Sequence, residues 1–95
     1  MRIEFIVCPD EIIEKLAIKH SVTELEARQV LFSGPRIRFA ENGYIEGEDV
    51  YAAFGQTFGG RHLTVFFVYK PVNKTAIIIS CRDMSQKERK AYGRK

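Results

Sequence analysis

RHLTVFFVYKPVNKTAIIISC, residues 61–81, reads as two β-prone runs separated by a turn. Arg61 to Tyr69 and Thr75 to Cys81 are rich in β-branched and aromatic residues, and Pro71-Val72-Asn73-Lys74 has the composition of a connection. Within the second run, Ala76-Ile77-Ile78-Ile79 is apolar without alternation, as expected of a central strand covered on both faces. On the N-terminal side, Val50 to Gln56 reads as a third strand, joined through Thr57-Phe58-Gly59-Gly60. Before it the period is again two: Ile37 and Phe39 alternate with Arg36 and Arg38 up to Asn42-Gly43, the dipeptide favoured in type I′ hairpin turns.

Outside this β-rich block the period changes. Residues 2–7 are β-branched and aromatic and end before Pro9, which predicts a first strand. Asp10 is placed to cap a helix whose stripe is Ile12, Ile13, Leu16, Ala17 and His20. Thr23 and Glu26 have the spacing of a capping box before a second helix with Leu25, Val30 and Leu31 as its apolar face, and Gly34-Pro35 stops it. Ser85 and Glu88 repeat the box before a C-terminal helix running to about Tyr92. The predicted fold class is α+β, in the order β-α-α-β-β-β-β-α, with a mostly antiparallel sheet covered by helices on one side.

At 95 residues, with 45% hydrophobic and 28% charged residues, the chain is expected to form a single globular domain over 1–95. No stretch approaches the roughly 20 apolar residues of a membrane span. The opening Met1-Arg2-Ile3-Glu4-Phe5 is unlike a secretory signal, so the expected location is cytoplasmic. The net charge of +3 hides an asymmetry: residues 1–60 carry six Lys/Arg against ten Asp/Glu, and residues 61–95 carry nine against two. A basic C-terminal half attracts phosphate through counterion release, and RNA is the expected polyanion.

The residue types narrow the chemistry. Gly55, Gly59 and Gly60 lie between strands with no helix N-terminus following, so they read as turn glycines and not as a phosphate loop. Cys8 and Cys81 lack zinc-site spacing and read as reduced core thiols. Neither His20 nor His62 has a carboxylate or cysteine at ligand spacing, so no metal or other cofactor is expected. His20, beside Lys19 at a helix end, fits a dipole-complementing role as well as acid/base work, and His62 beside Arg61 can line a cleft or be solvated. Arg82 follows a strand read as buried, which puts its donor fork at the rim of the sheet for a phosphate or a salt bridge. Lys87, Arg89, Lys90, Arg94 and Lys95 extend the basic end, with Tyr92 available to stack on a base. Tyr44, Tyr51, Tyr69 and the seven phenylalanines read mostly as core or cross-strand pairs.

Lys19-His20 followed by Val22, Glu26-Ala27, Gly47-Glu48, Ala53-x-Gly55, Gly60-Arg61, and Ile79-Ser80-x-Arg82 leading into Lys87-Glu88-Arg89 and Tyr92 together resemble the BrnT toxins across nearly the whole chain. The resemblance implies a type II toxin-antitoxin toxin with a RelE-like fold: a ribonuclease that halts translation and is neutralised by a small BrnA-type antitoxin carrying a DNA-binding domain. Where family members carry Trp-Asp near the start, a Gly after the Lys-His pair and two further arginines, this chain has Val7-Cys8, Ser21, Val50 and Ile77.

The expected chemistry is attack of a ribose 2′-hydroxyl on the adjacent phosphate, without a metal ion. On the family reading Arg61 and Arg82 hold the scissile phosphate, Glu48 or His20 transfers the proton, and Lys87, Arg89, Lys90 and Tyr92 bind RNA. DNA is contacted only through the antitoxin. The competing expectation, favoured by the missing arginines, is a module that grips RNA or an antitoxin without cleaving.

Overall fold

The computed structural model describes residues 1–43, 45 and 47–93; Tyr44, Arg94 and Lys95, among the residues singled out above, lie outside them, as does Glu46. The elements are β1 (Phe5–Val7), α1 (Asp10–His20), α2 (Glu24–Phe32), β2 (Arg36–Glu41), β3 (Val50–Gln56), β4 (His62–Lys70), β5 (Thr75–Asp83) and α3 (Gln86–Gly93), in the expected order. Five strands form one sheet in the order β1-β5-β4-β3-β2, antiparallel except where β1 joins β5.

The central strand is therefore β4 and not the apolar run of β5. β1 covers the outer edge of β5 only from Thr75 to Ile77. Beyond that point an extra residue enters β5, since Phe66 pairs with Ser80 and Phe67 with Ile78, leaving Ile79 between them. Ala76 and Ile78 are fully buried, but Ile79 is 38% exposed. Continuous apolar sequence here reflects a bulge and one buried face.

Alternation along the strands separates two faces. Leu63, Val65 and Phe67 of β4, with Ala53, Ala76, Ile78 and Cys81 beside them, pack against Leu16 of α1 and Ala27, Val30 and Leu31 of α2. The stripe of α2 thus includes Ala27, spaced three and four from Val30 and Leu31, whereas Leu25 points outward at 64% exposure. In α1, Ile12 and Ile13 support the core and Ala17 is exposed. Gly55 is not a turn glycine: it lies buried within β3, where a Cβ would come 3.1 Å from the Val30 side chain, so its missing side chain lets α2 approach the sheet. Gly59 and Gly60 do occupy the connection to β4.

The third helix breaks the expected one-sided arrangement. Its sequence, QKERKAYG, has no buried residue and no apolar stripe to lay on the core, and it sits on the opposite face of the sheet, held by polar contacts from Glu88. Helices therefore cover both faces, the second only in part.

Local signals act mostly as expected. Thr23 and Glu26 make a reciprocal capping box, and Ser85 and Glu88 make another. Asp10, by contrast, is the first residue of α1 and caps nothing; the Pro9 carbonyl accepts from the N–H groups of Ile12 and Ile13. Asn42-Gly43 does not form a two-residue turn, because Glu41 already pairs with Val50 and the connection spans residues 42–49. A Cβ at Gly43 would run into the Glu48 carbonyl, so glycine is needed there for close backbone approach.

Candidate nucleic-acid interface

The face turned away from α1 and α2 is lined by a row fixed by strand register: Arg36 of β2 pairs with Phe54 of β3, Phe54 with Thr64 of β4, and Thr64 with Arg82 of β5. Two residues along on either side, Arg38, His62 and Phe66 share this face. Helix α3 crosses over the row, and a groove of about 420 Å³ opens between them, lined by Arg36, Arg38, Phe54, Glu88, Ala91 and Tyr92. Tyr92 meets His62 edge to face at 5.8 Å between ring centres. Arg36 donates from Nη1 to the Ala91 carbonyl at 3.2 Å, tying β2 to the end of α3.

Arg82 and Glu88 hold the other side of α3 in place. The Arg82 guanidinium donates to both Glu88 oxygens at 2.7 and 2.9 Å and lies 5.2 Å over the Phe66 ring. Glu88 also accepts from the Ser85 N–H at 2.9 Å and the Thr64 hydroxyl at 3.2 Å. The Arg82 hydrogen bonds, helped by Ser85 and Thr64 and opposed by burial, pull the Glu88 carboxyl down to about 2. Glu88 thus remains an anion and is a weak proton acceptor at neutral pH.

A carboxyl lowered on folding stabilises the protein above its unfolded value near 4.5, and that stability is lost as pH falls towards about 2. Glu88→Gln is therefore expected to flatten the acid limb of the stability curve between those values. With Glu88 23% and Arg82 36% exposed, screening limits the difference from wild type to roughly 1–2 kcal/mol. Urea titrations at pH 2.5 and pH 6 check this; equal wild-type losses in both proteins would remove Glu88 as the cause.

Arg61 forms a separate cluster on the α1–α2 side. It donates to both Asp83 oxygens at 2.8 and 3.1 Å, to the Ser21 carbonyl at 2.7 Å, to the His20 carbonyl at 3.1 Å and to Glu26 at 3.3 Å. Asp83, through its hydrogen bonds, raises the arginine's pKa, and Arg61 lowers that of Asp83. Nε and both terminal nitrogens of Arg61 are thus engaged, joining the end of α1, the start of α2 and the end of β5.

The residues singled out from sequence are accordingly divided. Arg82 and Tyr92 lie on the α3 face. Lys87, Arg89 and Lys90 are exposed along α3, and their side chains make no hydrogen bond among the described residues. The His20 backbone belongs to the Arg61 cluster, and its side chain lines a second groove of about 280 Å³ with Lys15, Lys19 and Ser80. Glu48 is distant from both groups: it pairs with Lys70 at 2.6 Å, and Lys70 is six residues along β4 from the Thr64–Arg82 pair, roughly 20 Å. Sequence reasoning passed over Arg36 and Arg38 as the polar side of a strand, although Arg-Ile-Arg-Phe puts both guanidiniums on one face. From sequence, His62 reads either way, Glu88 is legible as half of a capping box and as part of the family motif, and Phe54 carries no separate signal. Burial raises the Cys8 thiol and pushes Cys81 up to about 12, so both behave as inert core thiols.

Among the described residues, no three His, Cys, Asp or Glu side chains group so as to hold a metal ion, and no helix is long and apolar enough to cross a membrane. Residues 13–88 match the family model for the ribonuclease toxin BrnT of type II toxin-antitoxin systems. The structure is similar to the crystal structure of the Brucella abortus ribonuclease toxin BrnT, with a TM-score of 0.61 and 16% sequence identity, over 87% of this chain and all of that one. At that identity the likeness is one of fold. No curated protein matches the sequence.

Proposed function

Because the chain belongs to the BrnT family of ribonuclease toxins of type II toxin-antitoxin systems, we propose that residues 1–95 form one toxin domain that cleaves RNA without a metal ion and so stops translation in the cytoplasm. The observation that carries this reading is the convergence of Arg36, Arg38, His62, Arg82 and Tyr92 on one open sheet face beneath a basic helix.

An RNA strand lies along this face with its phosphates against the guanidiniums. His62 takes the proton of the ribose 2′-hydroxyl as its oxygen attacks the adjacent phosphorus, and the bond from phosphorus to the 5′-oxygen breaks. That oxygen takes up a proton from solvent and protonated His62 returns its own to solvent, leaving a 2′,3′-cyclic phosphate and a 5′-hydroxyl. Arg82 exchanges one carboxylate oxygen of Glu88 for a phosphoryl oxygen and so stabilises the charge of the phosphorane. Lys87, Arg89 and Lys90 steer RNA into place, and Tyr92 stacks on a base.

The roles that the family resemblance implied for Arg61, His20 and Glu48 move elsewhere in this reading. Arg61 holds the scaffold, His20 lines the second groove, and Glu48 neutralises Lys70. A BrnA-type antitoxin neutralises the toxin by covering the α3 face, and DNA is reached only through that partner. A second reading, a binder of RNA or antitoxin that does not cleave, is favoured by one observation: Arg82 and Arg61 are both already paired with carboxylates.

Incubating the purified chain with a defined RNA, with and without EDTA, separates the two. Fragments ending in a cyclic phosphate at equal rates in both samples are the expected result. RNA that is bound but left intact would establish the binder, and cleavage lost in EDTA would refute the metal-independent mechanism.

A further inference from the structure

Building on the proposed cleavage face, we infer that the groove between α3 and the β2–β3 strands is a guanine-binding pocket that selects where the RNA is cut. Its volume of about 420 Å³ lies in the range of small-ligand sites, and Phe54 and Tyr92 supply aromatic surface for a base. The selectivity comes from the polar groups. The Arg38 side chain makes no hydrogen bond among the described residues and lines the groove, so its donor fork is available to a ligand. Arg36 spends one nitrogen on the Ala91 carbonyl and retains donors on the rest of its guanidinium.

The one carboxylate in the lining, Glu88, already accepts from Arg82, Ser85 and Thr64. Apart from the Tyr92 hydroxyl, which can do either, the side chains of the groove therefore present donors to a base edge and little capacity to accept. Guanine shows two adjacent acceptors, O6 and N7, which match a guanidinium fork. Adenine sets its N6 amino donor beside N7 and opposes the same fork. Cytosine and uracil offer one ring instead of two to the aromatic walls, with correspondingly less stacking.

The test uses the full chain. Guanosine, adenosine, cytidine and uridine 5′-monophosphates share a phosphate and differ in the base, so their relative affinities, measured by NMR titration, isolate base recognition. GMP is expected to bind roughly ten- to a hundredfold more tightly than AMP. In Arg38→Ala, an exposed change on an edge strand, that preference is expected to fall to about threefold or less. In parallel, cut sites on an RNA containing every dinucleotide step are expected to fall at guanosines. Equal affinities for the four nucleotides, or a guanine preference undiminished in Arg38→Ala, would overturn the pocket. The ribonuclease reading fails separately: tight GMP binding with intact RNA would uphold the pocket and sink cleavage, whereas cleavage without base preference would do the reverse.

Discussion

Arg82→Ala is expected to lower the single-turnover rate of RNA cleavage by roughly 10²–10³-fold, the range for removing one donor aimed at a developing charge. Arg82 is suited to that role by position. It stands on β5 opposite Thr64, over the Phe66 ring, with its fork held by both oxygens of Glu88. The carboxylate fixes the position of the guanidinium before RNA arrives, and the reaction then needs one of these two hydrogen bonds to pass to a phosphoryl oxygen.

The same pairing means that the alanine variant strands Glu88 beside Thr64 and the start of α3. Some loss of stability is expected with it, and urea titration of the variant has to show a folded population before the rate is interpreted. Arg82→Lys provides the finer measurement. A lysine keeps the charge as a single point and cannot serve a carboxylate and a phosphate with parallel donors, so an intermediate rate is expected. A folded Arg82→Ala protein cutting within about threefold of wild type would remove Arg82 from the reaction.

The largest effect on stability is expected at Arg61. Arg61→Ala should cost roughly 2–4 kcal/mol, the scale for breaking a partly buried charged network. The ion pair with Asp83 contributes little of this, since Asp83 is 62% exposed. Most of the loss comes from the carbonyls of His20 and Ser21, which close α1 and have Arg61 as their donor, and from Glu26 at the start of α2. For a domain of this size the melting temperature would fall by about 10–25 °C. Arg61→Lys is expected to recover less than half of that, because an ammonium cannot reach two carbonyls and two carboxylates at once. The result also locates the residue: a variant that melts like wild type but no longer cleaves RNA would place Arg61 in the reaction and not in the scaffold.

Arg61 and Arg82 show how differently two arginines can be read. Both follow glycine-turn or strand signals that locate them at the end of the sheet rich in basic residues, and sequence treats them as a pair. In the fold they belong to opposite faces. Arg61 sits where α1, α2 and β5 meet, and Arg82 sits under α3. The distinction depends on side-chain alternation through a register containing a bulge at Ile79, and neither the bulge nor the pairing of Leu63 with Asp83 has a local sequence signal.

Glu48 illustrates the same limit over a longer distance. A Gly-Glu pair near the start of a strand resembles a family motif, but which end of the sheet carries it depends on the hairpin between β2 and β3. That hairpin closes through residues 42–49, although Asn42-Gly43 is the stronger local turn signal. Nonlocal pairing overrode the dipeptide because Glu41 still had a partner in Val50.

Sequence by itself determined the order of the elements, both capping boxes, the buried thiols and the charge asymmetry between the two halves. These follow from periodicity, from short-range hydrogen bonding and from composition, all of which act over a few residues or need no geometry at all. Only the tertiary structure decided that β4 is central, that α3 lies across the second face, and that Arg36 and Arg38 share a groove with Tyr92, whose ring meets His62, while Arg61, His20 and Glu48 lie elsewhere. Those outcomes depend on strand register and on where a polar helix docks. Both are set by contacts between residues far apart in the chain, and a period of two along any one strand is equally compatible with either face.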